Sequence, residues 1–195
     1  MPEITLHLAR DIFDLWERTE QDVSRAALPP PFWAFPWAGG QALARYLLDH
    51  PERVAGRTVL DLAAGSGLVA IAAAKAGAAA VTPSETDPLA LTAIKLNSDA
   101  NSVTLEPTLG DVLGGVATGN DLVLVGDAFY ERPMAERLLP FLERARASGA
   151  VVLVGDPGRA YLPRDRFDAV ARYDVPVSRA LEDADVKRTT VWRLP

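Results

Sequence analysis

The chain has 195 residues, 49% of them hydrophobic and 24% charged, the size and balance of one globular domain around one sizeable core. It has no cysteine, which excludes disulfides, thiolate zinc sites, iron–sulfur clusters and a cysteine nucleophile. His7 and His50 are its only histidines, so no metal centre is expected, and a net charge of −6 argues against a nucleic-acid or membrane-surface partner, either of which needs a basic patch.

Leu6 to Arg25 carries Ile12, Leu15, Trp16 and Val23 among many charges, which reads as an amphipathic helix. Pro29-Pro30-Pro31-Phe32-Trp33-Ala34-Phe35-Pro36-Trp37-Ala38-Gly39-Gly40 follows. Its prolines forbid a helix interior and its aromatics make a poor solvated linker, so it should be an extended strap packed on the rest. Ala42 to Asp49 has helical spacing, and Pro51 and Gly56 close it. From Arg57 short apolar runs alternate with helical stretches. Strands are expected at Thr58–Leu62, Ala79–Ser84, Val103–Leu109, Leu122–Val125 and Ala150–Val154. Helices are expected at Leu68–Ala76, Pro88–Ala100, Met134–Ala147 and Arg164–Val170. Tyr173–Val177 and Thr189–Leu194 read as a closing hairpin of edge strands.

Strands separated by helices of this length imply right-handed βαβ units around a parallel sheet. The expected architecture is α/β, a Rossmann-like three-layer sandwich whose seven-stranded, mainly parallel sheet has an antiparallel last strand. One domain should span 1–195, with N-terminal helices and strap in 1–56 and the Rossmann-like core in 57–195. Pro83 lacks an N–H near the end of the second strand, which should therefore end early or bulge. The run Leu68 to Val81 is too short to cross a bilayer and Lys75 interrupts it. Charges break up the amino-terminal stretch, so no secretory signal is read and a soluble cytoplasmic protein is expected.

The strongest local pattern is Asp61-Leu62-Ala63-Ala64-Gly65-Ser66-Gly67-Leu68-Val69-Ala70. Gly65, Gly67 and Ala70 match the Gly-rich turn between a strand and a helix that approaches a nucleotide, and Glu85, twenty residues after Gly65, stands where an acid accepts hydrogen bonds from ribose hydroxyls. The alternative is that Glu85 merely leads into the next helix, with Asp87 as its N-cap. Asp61, Glu85, Asp111 and Asp127 all fall at or just past the carboxyl ends of the first four strands, which line one crevice in an open α/β sheet. Four acids would repel a dinucleotide's pyrophosphate but suit a cationic cofactor. S-Adenosylmethionine has a sulfonium, an ammonium, a ribose and an adenine amine, and no phosphate.

Asp61-x-x-x-Gly65-x-Gly67 followed by Glu85 resembles the signature of class I S-adenosylmethionine-dependent methyltransferases, over roughly Arg57–Pro157. Pro31-Phe32-Trp33-Ala34-Phe35-Pro36-Trp37-Ala38-Gly39-Gly40-Gln41-Ala42-Leu43, together with Asp127-Ala128-Phe129-Tyr130-Glu131, is similar to the lysine methyltransferases of the electron transfer flavoprotein β subunit, a family often labelled nicotinamide N-methylase-like. The resemblance runs from about Pro29 to the end. It implies that Asp61 and the Gly65–Gly67 turn hold the methionine end of the cofactor, Glu85 the ribose and Asp111 the adenine. Asp127, Tyr130 and Glu131 would then lie beside the transferred methyl as catalytic residues. The chain departs from the family's pattern at Pro83 and Thr86, where relatives tend to carry Ala and a β-branched apolar residue.

Trp33 and Trp37 either stack near the cofactor and the substrate's alkyl chain, with cation–π attraction available to a sulfonium or ammonium, or plug the strap onto the sheet. Asp156-Pro157-Gly158-Arg159 either lines the substrate mouth or is a plain turn. Three functions stay open: a monomeric protein-lysine methyltransferase acting on the flavoprotein β subunit or a ribosomal protein, a methyltransferase of nicotinamide or other small amines, and a non-catalytic cofactor-binding module.

Overall fold

Strands that are apolar on both faces need cover on both sides, and β1 (Thr58–Leu62), β4 (Leu122–Gly126) and β5 (Val151–Asp156) are of that kind. The structure, a computed structural model, describes residues 1–9, 30–115 and 119–195. With β2 (Ala80–Glu85), β3 (Thr108–Leu109), β6 (Asp168–Pro176) and β7 (Val186–Arg193), these strands form a seven-stranded sheet in the order β3-β2-β1-β4-β5-β7-β6. The first five pair in parallel and β7 runs antiparallel to both of its neighbours, as the sequence led us to expect.

Period-two alternation divides the core between the two faces. Val59, Leu122, Leu124 and Leu153 point to the side of α1 (Ala38–Asp49) and α2 (Leu68–Lys75), where Leu43, Leu47, Leu68 and Val69 meet them. Leu60, Leu62, Val123, Val125, Val152 and Val154 point to the side of α4 (Arg132–Ala147) and pack on Leu138, Phe141 and Leu142. The remaining helices are α3 (Pro88–Ala100), which starts with the Asp87 cap, and the short α5 (Arg179–Glu182) between the last two strands.

Four expectations need correction. Leu6–Ala9 is not helical; Thr5 and His7 donate backbone N–H bonds to the Asn101 and Asn97 side chains at 3.0 and 2.7 Å, which lays the segment along α3. The rest of the expected Leu6–Arg25 helix, from residue 10 on, lies outside the described residues. β2 neither stops nor bulges at Pro83 but pairs in register through Glu85. The carbonyls of Val81 and Glu85 accept bonds from Glu106 and Gly110 on the β3 side, so by alternation the missing N–H of Pro83 faces that side too. There β3 pairs only through Thr108 and Leu109, past the proline, so the missing donor costs at most one bond, at the start of that pairing. The expected strand Val103–Leu109 shrinks to those two residues, with Pro107 just before them. Finally, Arg164–Val170 forms a single 3₁₀ turn over Arg164–Arg166 before β6 begins at Asp168, because pairing with β7 overrides the local helical spacing.

α1 begins at Ala38, four residues ahead of the expected start. Two successive glycines are poor helix formers, and tertiary contact holds them. A Cβ at Gly39 would lie 2.3 Å from the Gly155 carbonyl oxygen, one at Gly155 2.1 Å from the Gly39 carbonyl oxygen, and one at Gly126 2.9 Å from the Gly40 Cα. Helix backbone therefore rests directly on the ends of β4 and β5. Gly155→Ala has nowhere to put its methyl except by moving α1, and should cost about 1–3 kcal/mol or more in urea unfolding. Gly114→Ala, with nothing within 4 Å of the added carbon, should stay within about 0.5 kcal/mol of wild type.

Candidate active site

β1 delivers the chain into a tight turn that only a glycine-rich sequence follows easily: Ala63, Gly65 and Gly67 all have positive φ, at 51°, 54° and 80°. A Cβ on Gly67 would press on Ile94 of α3 at 3.2 Å, so this glycine also sets how closely α2 and α3 pack. Asp61 is 1% exposed and accepts the Ala70 N–H at 3.0 Å, satisfying a free donor in the first turn of α2. Burial pushes its pKa well up, against the Ala70 bond and with a further push from Glu85. Asp61 thus supports the turn from beneath, while Leu62, Ala63 and Gly65 form the wall of an open cleft of about 390 Å³.

Glu85 faces that wall from the end of β2. Its Oε1 accepts the Gly65 N–H at 2.6 Å and its Oε2 the N–H of Thr86 at 3.0 Å. Burial raises its pKa against those two bonds. Asp87 is indeed the cap of α3, accepting the Leu89 N–H at 2.8 Å, and its second oxygen accepts Trp33 Nε1–H at 2.9 Å. Asp111, beyond β3, accepts the Leu113 N–H at 3.0 Å and pairs with Arg137 of α4. The Arg137 guanidinium holds its pKa below the usual carboxylate range.

The aromatic strap roofs the cleft and is pinned at the same time. Phe32, Trp33 and Trp37 line the space. Trp33 is tied to Asp87, and Trp37 Nε1 donates to the Phe32 carbonyl at 2.8 Å. Phe32 packs edge-on to Trp37 at 5.8 Å and against Tyr130 at 5.2 Å.

The far end of the cleft is built at the end of β4. Asp127 has φ +64°, a left-handed conformation that Asp tolerates better than most residues. It is 6% exposed and already engaged. Its Oδ2 accepts the Gly39 N–H at 2.7 Å, and Arg159 grips both oxygens, Nε to Oδ1 at 2.6 Å and a terminal nitrogen to Oδ2 at 3.2 Å. Burial raises the Asp127 pKa and Arg159 opposes the rise. Tyr130 and Glu131 are exposed at the mouth, and the Glu131 side chain makes no hydrogen bond or ion pair among the described residues. Burial pushes the Tyr130 phenol up to about 12, helped by the charges of Glu131, Glu85 and Asp127; it remains a neutral hydroxyl. The cleft thus brings together Trp33, Gly65, Glu85, Asp111, Asp127, Tyr130 and Glu131, with Asp61 behind the wall and Gly67 in the turn.

Arg159 is the functional residue that sequence reasoning weighted too little; an arginine in a Pro-Gly turn carries no signal of its own. It bonds Glu182 of α5 at 2.8 and 3.2 Å and lies 5.8 Å from the centre of the Trp37 ring. Asp156 folds the turn that places it, accepting the N–H groups of Gly158 and Arg159 at 2.6 and 2.7 Å through Oδ1. Its other oxygen is buried without a partner, and burial raises its pKa to about 6.

The family of ribosomal protein L11 methyltransferase (PrmA) matches residues 42–125. The electron transfer flavoprotein β subunit lysine methyltransferase of Danio rerio is 39% identical over 98% of this chain and 76% of its own length. The Homo sapiens protein of the same name is 37% identical over 98% and 74%. Among solved structures, ribosomal protein L11 methylase from Lactobacillus delbrueckii subsp. bulgaricus superposes with a TM-score of 0.57 at 20% identity, over 83% of this chain and 80% of that one. A Pyrococcus abyssi tRNA (uracil-54, C5)-methyltransferase bound to S-adenosyl-L-homocysteine gives 0.58 at 20% identity, over 80% of this chain and 38% of that one. These distant structures share the fold.

The orphaned oxygen of Asp156 gives a pH signature. Its folded-state pKa of about 6 lies above the ordinary 3.8, so the folded protein keeps a proton that the unfolded chain has lost, and this contribution to stability falls as pH rises from about 4 to about 6. Asp156→Asn retains the acceptor for Gly158 and Arg159 and cannot ionise. Its stability relative to wild type should be constant below pH 4 and should improve by on the order of 2 kcal/mol between pH 4 and 7. Urea midpoints across that range measure the difference.

Proposed function

We propose that this chain, which belongs to the electron transfer flavoprotein β subunit lysine methyltransferase family, methylates a protein lysine from S-adenosylmethionine, with the flavoprotein β subunit as substrate and a ribosomal protein as second candidate. One observation carries the reading. A Gly-rich turn with an acid acceptor and a solvent-facing Tyr130–Glu131 mouth share one cleft beneath an aromatic roof.

The residues present fit the donor. Glu85 offers carboxylate oxygens beside Gly65, while the two arginines of the cleft, Arg137 and Arg159, are already paired with carboxylates, so among the described residues neither lining arginine is left for a pyrophosphate. Glu85 would hold the ribose, Asp111 the adenine, and the Gly65–Gly67 turn over Asp61 the methionine end, with Trp33 as a wall. When bound, S-adenosylmethionine supplies an electrophilic methyl group on a sulfonium.

The acceptor must be a neutral amine, and freeing a lysine with pKa ~10.4 of its proton at pH 7 costs about 4.6 kcal/mol. Asp127 is too weak a base to do this. Glu131 instead captures the incoming ammonium at the mouth, Tyr130 walls the alkyl stem, and Asp127 aims the nitrogen after the proton has left to water. The chain's contribution is mainly alignment. A small free amine would call for a closed pocket, whereas Tyr130, 42% exposed, leaves this one open to a side chain presented by a protein. The protein acts as a single-domain monomer in the cytoplasm, on protein rather than nucleic acid or membrane. Its charge of −6 supports this, and no described helix is long and apolar enough to cross a membrane.

Incubation with the flavoprotein β subunit and labelled S-adenosylmethionine should place label on lysine in peptide maps. Label on nicotinamide or free amines instead would replace this reading with the small-molecule one. Asp127→Asn should lower turnover about a hundredfold while calorimetry finds its affinity for S-adenosylhomocysteine nearly unchanged. Glu85→Ala should do the reverse to binding, weakening it by about 1.5–3 kcal/mol for each hydrogen bond lost.

A further inference from the structure

Resting on that lysine reading, we propose that Arg159 is the positioning residue that lets the acceptor amine lose its proton, by occupying the carboxylate of Asp127 that would otherwise bind the amine as ammonium. The difficulty it resolves is electrostatic. A carboxylate close to the acceptor nitrogen favours the charged ammonium, which has no lone pair to give. Yet Asp127 stands at the end of the cleft where the nitrogen must arrive, and it cannot be dispensed with, because it also holds the Gly39 N–H at the start of α1.

Arg159 keeps Asp127 in place and cancels its charge. The guanidinium meets both Asp127 oxygens in the planar fork that matches a carboxylate. Its side chain is 22% exposed against 2% for Asp127, so this pair is shielded far more than a surface ion pair. On its other edge the guanidinium meets both oxygens of Glu182, and Lys187 of β7 stands 3.7 Å from Glu182. The groups facing Arg159 are therefore Asp127 from β4, Asp156 from β5, Glu182 from α5 and, through Glu182, Lys187. Tyr130 and Glu131 lie further out at the mouth. Asp127 and Glu182 are matched by Arg159 and Lys187. Without Arg159 the incoming amine would become the counter-ion of Asp127. The two would share one proton, and wherever that proton sat it would tie up the lone pair.

Arg159→Gln and Glu182→Gln, of opposite expected sign, test this with two readouts, and Arg159→Lys serves as the rescue. Arg159→Gln should raise the pH at which the Asp127 carboxyl carbon titrates in NMR spectra by a unit or more, a readout that needs no substrate. In kinetics its kcat limb for loss of the lysine proton should move to higher pH by about one unit, giving roughly a tenfold deficit at neutral pH that closes above the new limb. Arg159→Lys, which keeps the charge, should reverse part of the shift. Glu182→Gln, which keeps the fork on Asp127 and removes a negative charge, should move the limb to lower pH and keeps the test alive if Arg159→Gln fails to fold. An Asp127 titration indifferent to Arg159, an equal loss at every pH with an unmoved limb, or a Glu182→Gln shift in the same direction as Arg159→Gln would overturn the proposal. A wild type that methylates no lysine would instead fail the functional reading, while the carboxyl titration still decides whether Arg159 governs Asp127.

Discussion

The N-terminus of α1 lies on the ends of β4 and β5 with no side chain between them, and the Asp127 end of the cleft is organised by that contact. Gly39 and Gly40 meet Gly126 and Gly155 so closely that a Cβ on Gly39, Gly126 or Gly155 would overlap backbone atoms. Close approach brings the Gly39 N–H within 2.7 Å of Asp127, which gives the helix start a partner and fixes the carboxylate. The same approach sets the strap immediately before α1 over the cleft, where Trp37 covers Arg159 and Phe32 covers Tyr130. Replacing Gly39, Gly126 or Gly155 would disturb helix, roof and site together.

Each acid at the carboxyl ends of the strands is kept by a different partner, and the partner sets what it can do. Asp61 takes the N–H of Ala70 and stabilises the turn. Glu85 takes the N–H of Gly65 and faces the space itself. Asp111 is exposed and paired with Arg137, an interaction of modest worth that a ligand can replace cheaply. Asp127 is buried in a bidentate pair, where removing one partner strands the other's charge and costs far more. The crevice is thus graded from an exchangeable pair at Asp111 to a locked pair at Asp127. That gradient suits a cofactor that comes and goes beside a fixed point of alignment.

The sequence was most informative where local chemistry and the tertiary role coincide. β1 and α3 have the bounds read from the sequence, since an apolar run and a Pro-led helix behind an Asp cap need little from elsewhere. The Gly-rich turn and the acids of the crevice were legible because strand-end positions converge in any open α/β sheet. What was not legible depends on partners remote in sequence. β3 is an edge strand that pairs with β2 only beyond Pro83, and β6 exists because β7 pairs with it. The early start of α1 needs Gly155, well over a hundred residues away. Arg159 sits in a turn that reads as plain until Asp127 and Glu182 are brought to either side of it.

The account requires that one cleft hold the methyl donor at the turn and the acceptor nitrogen beside Asp127. The most direct measurement is a crystal structure with S-adenosylhomocysteine and a lysine-bearing segment of the flavoprotein β subunit. The account predicts the adenosine along Glu85 and Asp111, the lysine stem between Tyr130 and the aromatic strap, and its nitrogen in line with the sulfur beside an unbroken Asp127–Arg159 pair. A lysine bound outside the Tyr130–Glu131 mouth, or one whose nitrogen has displaced Arg159 from Asp127, would contradict it.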